Sequence, residues 1–146
     1  MPDMQTITER AIGRGGQMIV YSFDPGGTTG LVMADCEQEP YIVSSKELSM
    51  KPDDWGFIID NPRVDLILME TMVSTGYMTK GKIQQIKAIA LIELFSHLSG
   101  AKLVQVTPEK RKKLGPKETP RHVTGQHAKD AYRILIAGMR GVRCSK

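Results

Sequence analysis

Apolar positions along the chain fall first into strand-like runs. QMIVYSF is a nearly continuous apolar stretch that runs into Asp24, with Pro25 and two glycines behind it. That is the pattern of a buried strand closed by a tight turn. TGLVMAD and EPYIVSSKEL follow as two more strands, joined through the polar stretch from Cys36 to Glu39, and together the three predict an antiparallel meander. Lys51 to Asp60 is acidic with Trp55, Ile58 and Ile59 apolar, and predicts a brief helix. VDLILME is an unbroken apolar run ending on Glu70, and its lack of alternation suits a central strand covered on both faces.

Beyond Glu70 the period changes. From Lys82 to Ser99, residues Ile83, Ile86, Ile89/Ala90, Leu94 and Leu98 fall on one helical face, the stripe expected to meet the core. Gly100 is placed to cap that helix. AKLVQVTP predicts a short strand stopped by Pro108, and the basic segment EKRKKLGPKETPR about one helical turn. Thr124 and Gln126 open a last helix, HAKDAYRILIAGMR, predicted to end near Gly141. The order of elements is that of a mixed α/β sheet, a meander first and then strands that arrive through crossover helices.

At 146 residues the chain is sized for one domain with a real core. Residues 1–16 predict a loose, flexible extension without the apolar core of a leader, and 17–146 the domain itself. No apolar run approaches the roughly 18 residues of a membrane span, and Cys36 and Cys144 lack metal-type spacing. A cytoplasmic protein with reduced thiols is the expectation. The net charge of +4 hides a division. Ser22 to Glu70 holds three basic and ten acidic residues, whereas Gly76 to Arg121 holds ten basic and three acidic. A solvated basic face would explain that, and so would a footprint for a phosphate backbone.

Asp24 and Glu70 hold equivalent places, each at the carboxyl end of an apolar strand. Were those strands parallel neighbours, the two side chains would emerge about 5 Å apart. Two carboxylates that close are kept ionised most simply by a divalent cation. His127 and Asp130, at i and i+3, share one face of the last helix. Alone, such a pair is more often a solvated helix start, and Asp24 alone is equally a turn former. Glu70 after LILM has little structural use without a partner.

Four pieces in order resemble the RuvC-type Holliday junction resolvases of the RNase H-like nuclease superfamily: FDPGGTTG, LILMET, VTPEKRKKLG and HAKDAYRILI. The resemblance runs from about Met18 to Arg140, and the short length is more like bacteriophage-encoded members, hence a host cytoplasm. It implies an RNase H-like sheet in the order 3-2-1-4-5 with flanking helices. It makes Asp24, Glu70, His127 and Asp130 the catalytic ligands of two Mg²⁺ ions, with Mn²⁺ able to substitute because it accepts an imidazole ligand more readily than Mg²⁺ does. The implied reaction is paired nicking of four-way junctions to 5′-phosphate and 3′-hydroxyl ends. Lys80, Lys82, Lys110, Arg111, Lys112 and Lys113 would track phosphates, Lys112 or Lys113 standing nearest the scissile one. The family's aromatic close behind the glutamate is missing here, so a base-stacking wedge would be Tyr77, the nearest aromatic behind Glu70, or be absent. A homodimer is implied, through the Lys82–Ser99 helix, although its small-residue pattern departs from the family's.

Three other readings stay open on the residues. DPGGTTG also resembles the phosphate loop of sugar-kinase and actin-like ATPases, but those need two such domains around the nucleotide. A catalytically silent module that binds branched DNA is a second. The third is a nuclease of the same fold, such as the YqgF-type relatives, that cuts forks and flaps.

Overall fold

The computed structural model describes residues 18–37, 39–60, 62–72 and 76–144; the extension predicted for residues 1–16 lies outside them. Five strands form one sheet: β1 (Ile19–Asp24), β2 (Thr29–Asp35), β3 (Tyr41–Leu48), β4 (Leu66–Glu70) and β5 (Lys102–Val106). Their order is β3-β2-β1-β4-β5. β1 pairs antiparallel with β2, and β2 with β3, while β4 lies parallel to both β1 and β5. This is the predicted mixed sheet. A 3₁₀ turn (Pro52–Trp55) leads into α1 (Phe57–Asp60), followed by α2 (Lys80–Ser99), α3 (Pro108–Leu114) and α4 (Gln126–Cys144).

The unbroken apolar runs become the central strands because both sheet faces are covered. On one face Val20, Val32, Leu66 and Leu68 pack against Ala131, Ile134, Leu135 and Ala137 of α4. On the other, Tyr21, Phe23, Ile67 and Met69 pack against Ala88, Ile92 and Phe95 of α2 and against Trp55 and Ile58. The pleat sends alternate residues to opposite sides, so the inner apolar positions of β1 and β4 meet one core or the other. Phe95 organises the α2 side. Its ring centroid lies 5.4 Å from Tyr21, 6.3 Å from Phe23 and 5.2 Å from Phe57, within the range where tilted and edge-on pairs attract.

Three details differ from the sequence reading. The stripe predicted to meet the core on α2 faces away from it: Ile83, Ile86, Leu94 and Leu98 are 39–52% exposed, and Ala90 is exposed too. Ile89 alone of that set is half-buried against the core. The helix carries apolar residues on more than one side, and the aromatic cluster selects the side that bears Phe95. α4 continues past Gly141 to Cys144. Its Gly138 is not a stop but a point of close approach, where a Cβ would press into Leu68 and Val106. α3 spans seven residues rather than one turn, started by Pro108 and by the Thr107 hydroxyl, which accepts the Lys110 N–H at 3.2 Å.

Candidate functional site

The parallel register sets the site. Phe23 lies opposite Met69, so the next residue on each strand, Asp24 and Glu70, leaves the sheet at the same carboxyl edge, where open α/β sheets gather their ligands. Three contacts bring the start of α4 onto that edge. Ser22, a buried polar residue inside β1, donates its hydroxyl to the Ala131 carbonyl at 2.7 Å. Glu47 of β3 accepts the His127 backbone N–H at 3.0 Å, a carboxylate at the positive end of the helix. Gly30 lets the His127 carbonyl lie against β2, since any Cβ there would collide with it. The glycine at the end of FDPGGTTG therefore has a use beyond the turn. Within that turn the Thr29 hydroxyl donates to the Gly26 carbonyl at 3.0 Å.

His127 and Asp130 consequently join Asp24 and Glu70. His127 Nδ1 lies 3.4 Å from Asp24 Oδ2. Burial pushes the Asp24 carboxyl up to about 6; the charges of Asp130 and Glu70 push the same way, and His127 opposes them. Glu70 is also raised, by burial first and by Asp130, against the pull of Arg111 and Lys112. Mutual repulsion between Asp24, Glu70 and Asp130 means the three are electrostatically one group.

Two arginines stand among them. Arg111 Nε donates to Glu70 Oε1 at 3.0 Å, and its Nη1 lies 3.7 Å from Asp130 Oδ1. Arg133 Nη1 donates to the same Asp130 oxygen at 2.9 Å, and Gln126 Nε2 approaches it at 3.3 Å. Among the described residues no three His, Cys, Asp or Glu side chains are already gathered tightly enough to hold a metal ion. The donor set nonetheless fits a divalent cation: hard carboxylate oxygens, one imidazole, and partly buried negative charge that calls for a compensating cation.

The residues predicted to follow phosphates divide by position. Lys110, Lys112 and Lys113 are exposed on α3; the charge of Lys112 reaches Glu70, whereas the Lys110 side chain lies against Gly141 near the far end of α4. Arg111 turns inward instead. Lys80 is exposed and Lys82 half-buried at the start of α2. Gly27, in the turn after Asp24, closes on the Gln84 side chain so tightly that a Cβ would strike it, which brings that end of α2 to the same edge. Tyr77 is 92% exposed; residues 73–75 before it lie outside the described set. Glu47, Ser22 and Arg133 were not singled out by the sequence reading. Ser22 carried a signal, as a polar residue inside an apolar strand. Arg133 lies at i+3 from Asp130, an ion-pair spacing. Glu47 carried none, because its partner is 80 residues away.

No protein-family model and no curated protein matches the sequence. Solved structures do. The structure of Thermus thermophilus RuvC aligns with a TM-score of 0.66 at 16% identity, over 88% of this chain and 97% of that one. T. thermophilus RuvC in complex with a Holliday junction substrate aligns with a TM-score of 0.68 at 15% identity, over 87% and 96%. The mixed five-stranded sheet with its flanking helices is therefore the RNase H-like fold of those structures. At such identities the likeness extends to the fold alone.

Proposed function

We propose that this chain is a divalent-metal-dependent endonuclease that resolves four-way DNA junctions by paired nicks, leaving 5′-phosphate and 3′-hydroxyl ends. One observation carries the reading: Asp24, Glu70, His127 and Asp130 meet at the carboxyl edge of a RuvC-like sheet, with exposed lysines of α3 alongside. Asp24, Glu70, His127 and Asp130 would hold two Mg²⁺ ions, or Mn²⁺ in their place. When bound, the ions supply the positive charge that activates water and stabilises the leaving oxygen in phosphodiester hydrolysis.

The chain's own residues do the rest. Ser22, Gly30 and Glu47 fix the start of α4, and with it the positions of His127 and Asp130 relative to the strand ends. Lys112, aided by Lys110 and Lys113, attracts and orients the phosphate backbone, a contact that positions DNA without reading its bases. Lys80 and Lys82 extend that rim along the start of α2, and Tyr77 offers a ring to an unpaired base. Two nicks in paired strands require two sites, which a homodimer supplies. The exposed apolar side of α2 supports that arrangement.

The test offers a labelled four-way junction, a fork, a flap and linear duplex of matched sequence, with Mg²⁺ or Mn²⁺, to the wild type and to Asp24→Asn. Symmetric nicks confined to the junction and lost in the variant are the expected result. Equal cutting of forks and flaps would widen the substrate class to branched DNA. Tight binding without cutting under either metal would replace the enzyme with a DNA-binding module.

A further inference from the structure

Arg111 does not behave as a member of the basic rim. It stands in α3 between Lys110 and Lys112, which are exposed, yet only 23% of its side chain is. Its guanidinium bridges two carboxylates from different elements, Glu70 at the end of β4 and Asp130 in α4, at 3.0 and 3.7 Å. Among the described residues, all of its side-chain hydrogen bonds and ion pairs go to those two groups.

Arg133 provides the contrast. Its Nη1 also meets Asp130, but its Nε and Nη2 donate to the carbonyls of Pro116 and Lys117 at 3.2 and 3.1 Å. Those bonds tie it to the chain behind α3 whatever happens at Asp130. The backbone of Arg111 is equally fixed: its N–H donates to the Thr107 carbonyl and its own carbonyl accepts from Gly115, at 3.0 and 2.8 Å. Its side chain, however, is anchored by the acidic site alone. If the carboxylates find another cation, Arg133 stays and Arg111 is released.

We infer that Arg111 is the internal counter-cation of the acidic site, bridging Glu70 and Asp130 in the metal-free protein and giving them up when a divalent ion binds. The inference rests on the metal reading proposed above. A guanidinium keeps its charge at any ordinary pH, so it cannot remain between those oxygens beside a doubly charged ion without strong repulsion. Once released from the carboxylates, its guanidinium stays on the basic helix α3 with Lys112 and Lys113, where a DNA phosphate is the natural new partner for its planar fork. Metal and DNA would then each strengthen the binding of the other, as linkage requires when both favour the same released state. Arg111 is a positioning residue in this account, distinct from the metal ligands.

The experiment is calorimetric titration of Mn²⁺ into DNA-free protein, for the wild type, Arg111→Gln and Arg111→Lys, with thermal melts in chelator and in Mn²⁺. Removing the guanidinium should tighten Mn²⁺ binding about tenfold in Arg111→Gln, the size of a typical coupling between two ligands. The same variant should melt lower than wild type in chelator, with Mn²⁺ recovering the difference. Arg111→Lys keeps the charge but loses the bridging fork, and should bind Mn²⁺ more tightly than wild type and less tightly than Arg111→Gln. It also decides the matter should Arg111→Gln fail to fold without metal. Equal or weaker Mn²⁺ binding by the variants, with measurable binding by wild type, overturns the inference and leaves the metal site standing. No Mn²⁺ binding by any of the proteins overturns the metal site, and this role with it.

Discussion

The two long helices lie on opposite faces of the sheet and are built on different rules. α4 presents Ala131, Ile134, Leu135 and Ala137 to the core, and its first turns carry the half-buried His127 and Asp130 to the site. α2 is apolar on more than one side. Ala88, Ile92 and Phe95 are buried, while Ile83, Ile86, Leu94 and Leu98 remain substantially exposed. Periodicity identifies a buried face only where the opposite face is polar. In α4 that condition holds for the first turns, which carry His127 and Asp130, whereas Ile134 to Met139 are all buried. In α2 the pattern gives the helix, and the tertiary partner decides the orientation.

The largest effect should come from truncating the buried side of α2. Phe95 touches Tyr21, Phe23 and Phe57 through its ring and has no exposed surface. Phe95→Ala is expected to cost about 3–5 kcal/mol, as buried Phe truncations do. Its sequence neighbour Leu94, 46% exposed, should lose only about 0.5 kcal/mol on the same change, the range of surface substitutions. Urea melts of the two variants measure the gap directly. Comparable losses would mean that α2 packs by the stripe its sequence suggests, and the contrast with α4 would collapse.

The contrast also explains what the sequence made legible. The two central strands were legible as apolar runs that each end on a carboxylate, the pattern of doubly covered strands, whereas their order, which sets Asp24 beside Glu70, came from the resemblance to the RuvC-type resolvases. HAKD was legible as a helix start with two polar groups on one face. The elements that hold it there were not. Glu47 and Gly30 act on His127 from β3 and β2 through contacts that no local pattern encodes. The inward turn of Arg111 was hidden for the same reason: its three basic neighbours make it look like one more rim charge, and only the fold brings Glu70 and Asp130 within its reach.

The next effect lies at the other helix, where α4 delivers charge to a partly buried edge. The Asp24 carboxyl is held up at about 6 by burial and by Asp130 and Glu70, against an unfolded value of roughly 4. The folded state therefore holds the Asp24 proton more firmly than the unfolded chain does. Stability from this group falls as pH rises from about 4 to 6, and its full cost persists above that. In chelator at pH 8, Asp24→Asn should accordingly be more stable than wild type, by about 1–3 kcal/mol. The advantage should shrink through pH 6 and vanish below about 4. Thermal melts across that range check it. A variant less stable than wild type at pH 8 would show that the His127 contact outweighs the crowding of carboxylates. A group that costs stability while unliganded is what a charged functional site is expected to contain.

The smallest effect on folding belongs to the exposed side of α2, and it sharpens the comparison most finely. Replacing Leu94 and Leu98, 46% and 52% exposed, with lysine should change the stability of the single chain by no more than about 0.5 kcal/mol per site. Neither residue contributes to the buried cluster around Phe95. Sedimentation then separates two reasons for an apolar surface on this helix. Under the proposed homodimer, the wild type sediments as a dimer and Leu94→Lys with Leu98→Lys as a folded monomer, because lysine is poorly accommodated in the desolvated centre of an interface. A monomer in both cases would remove the homodimer from the proposal without touching the site. A dimer unaffected by the two lysines would move the interface to another surface. Either result would leave α2 as a helix whose second apolar face serves neither the core nor a second copy of the chain.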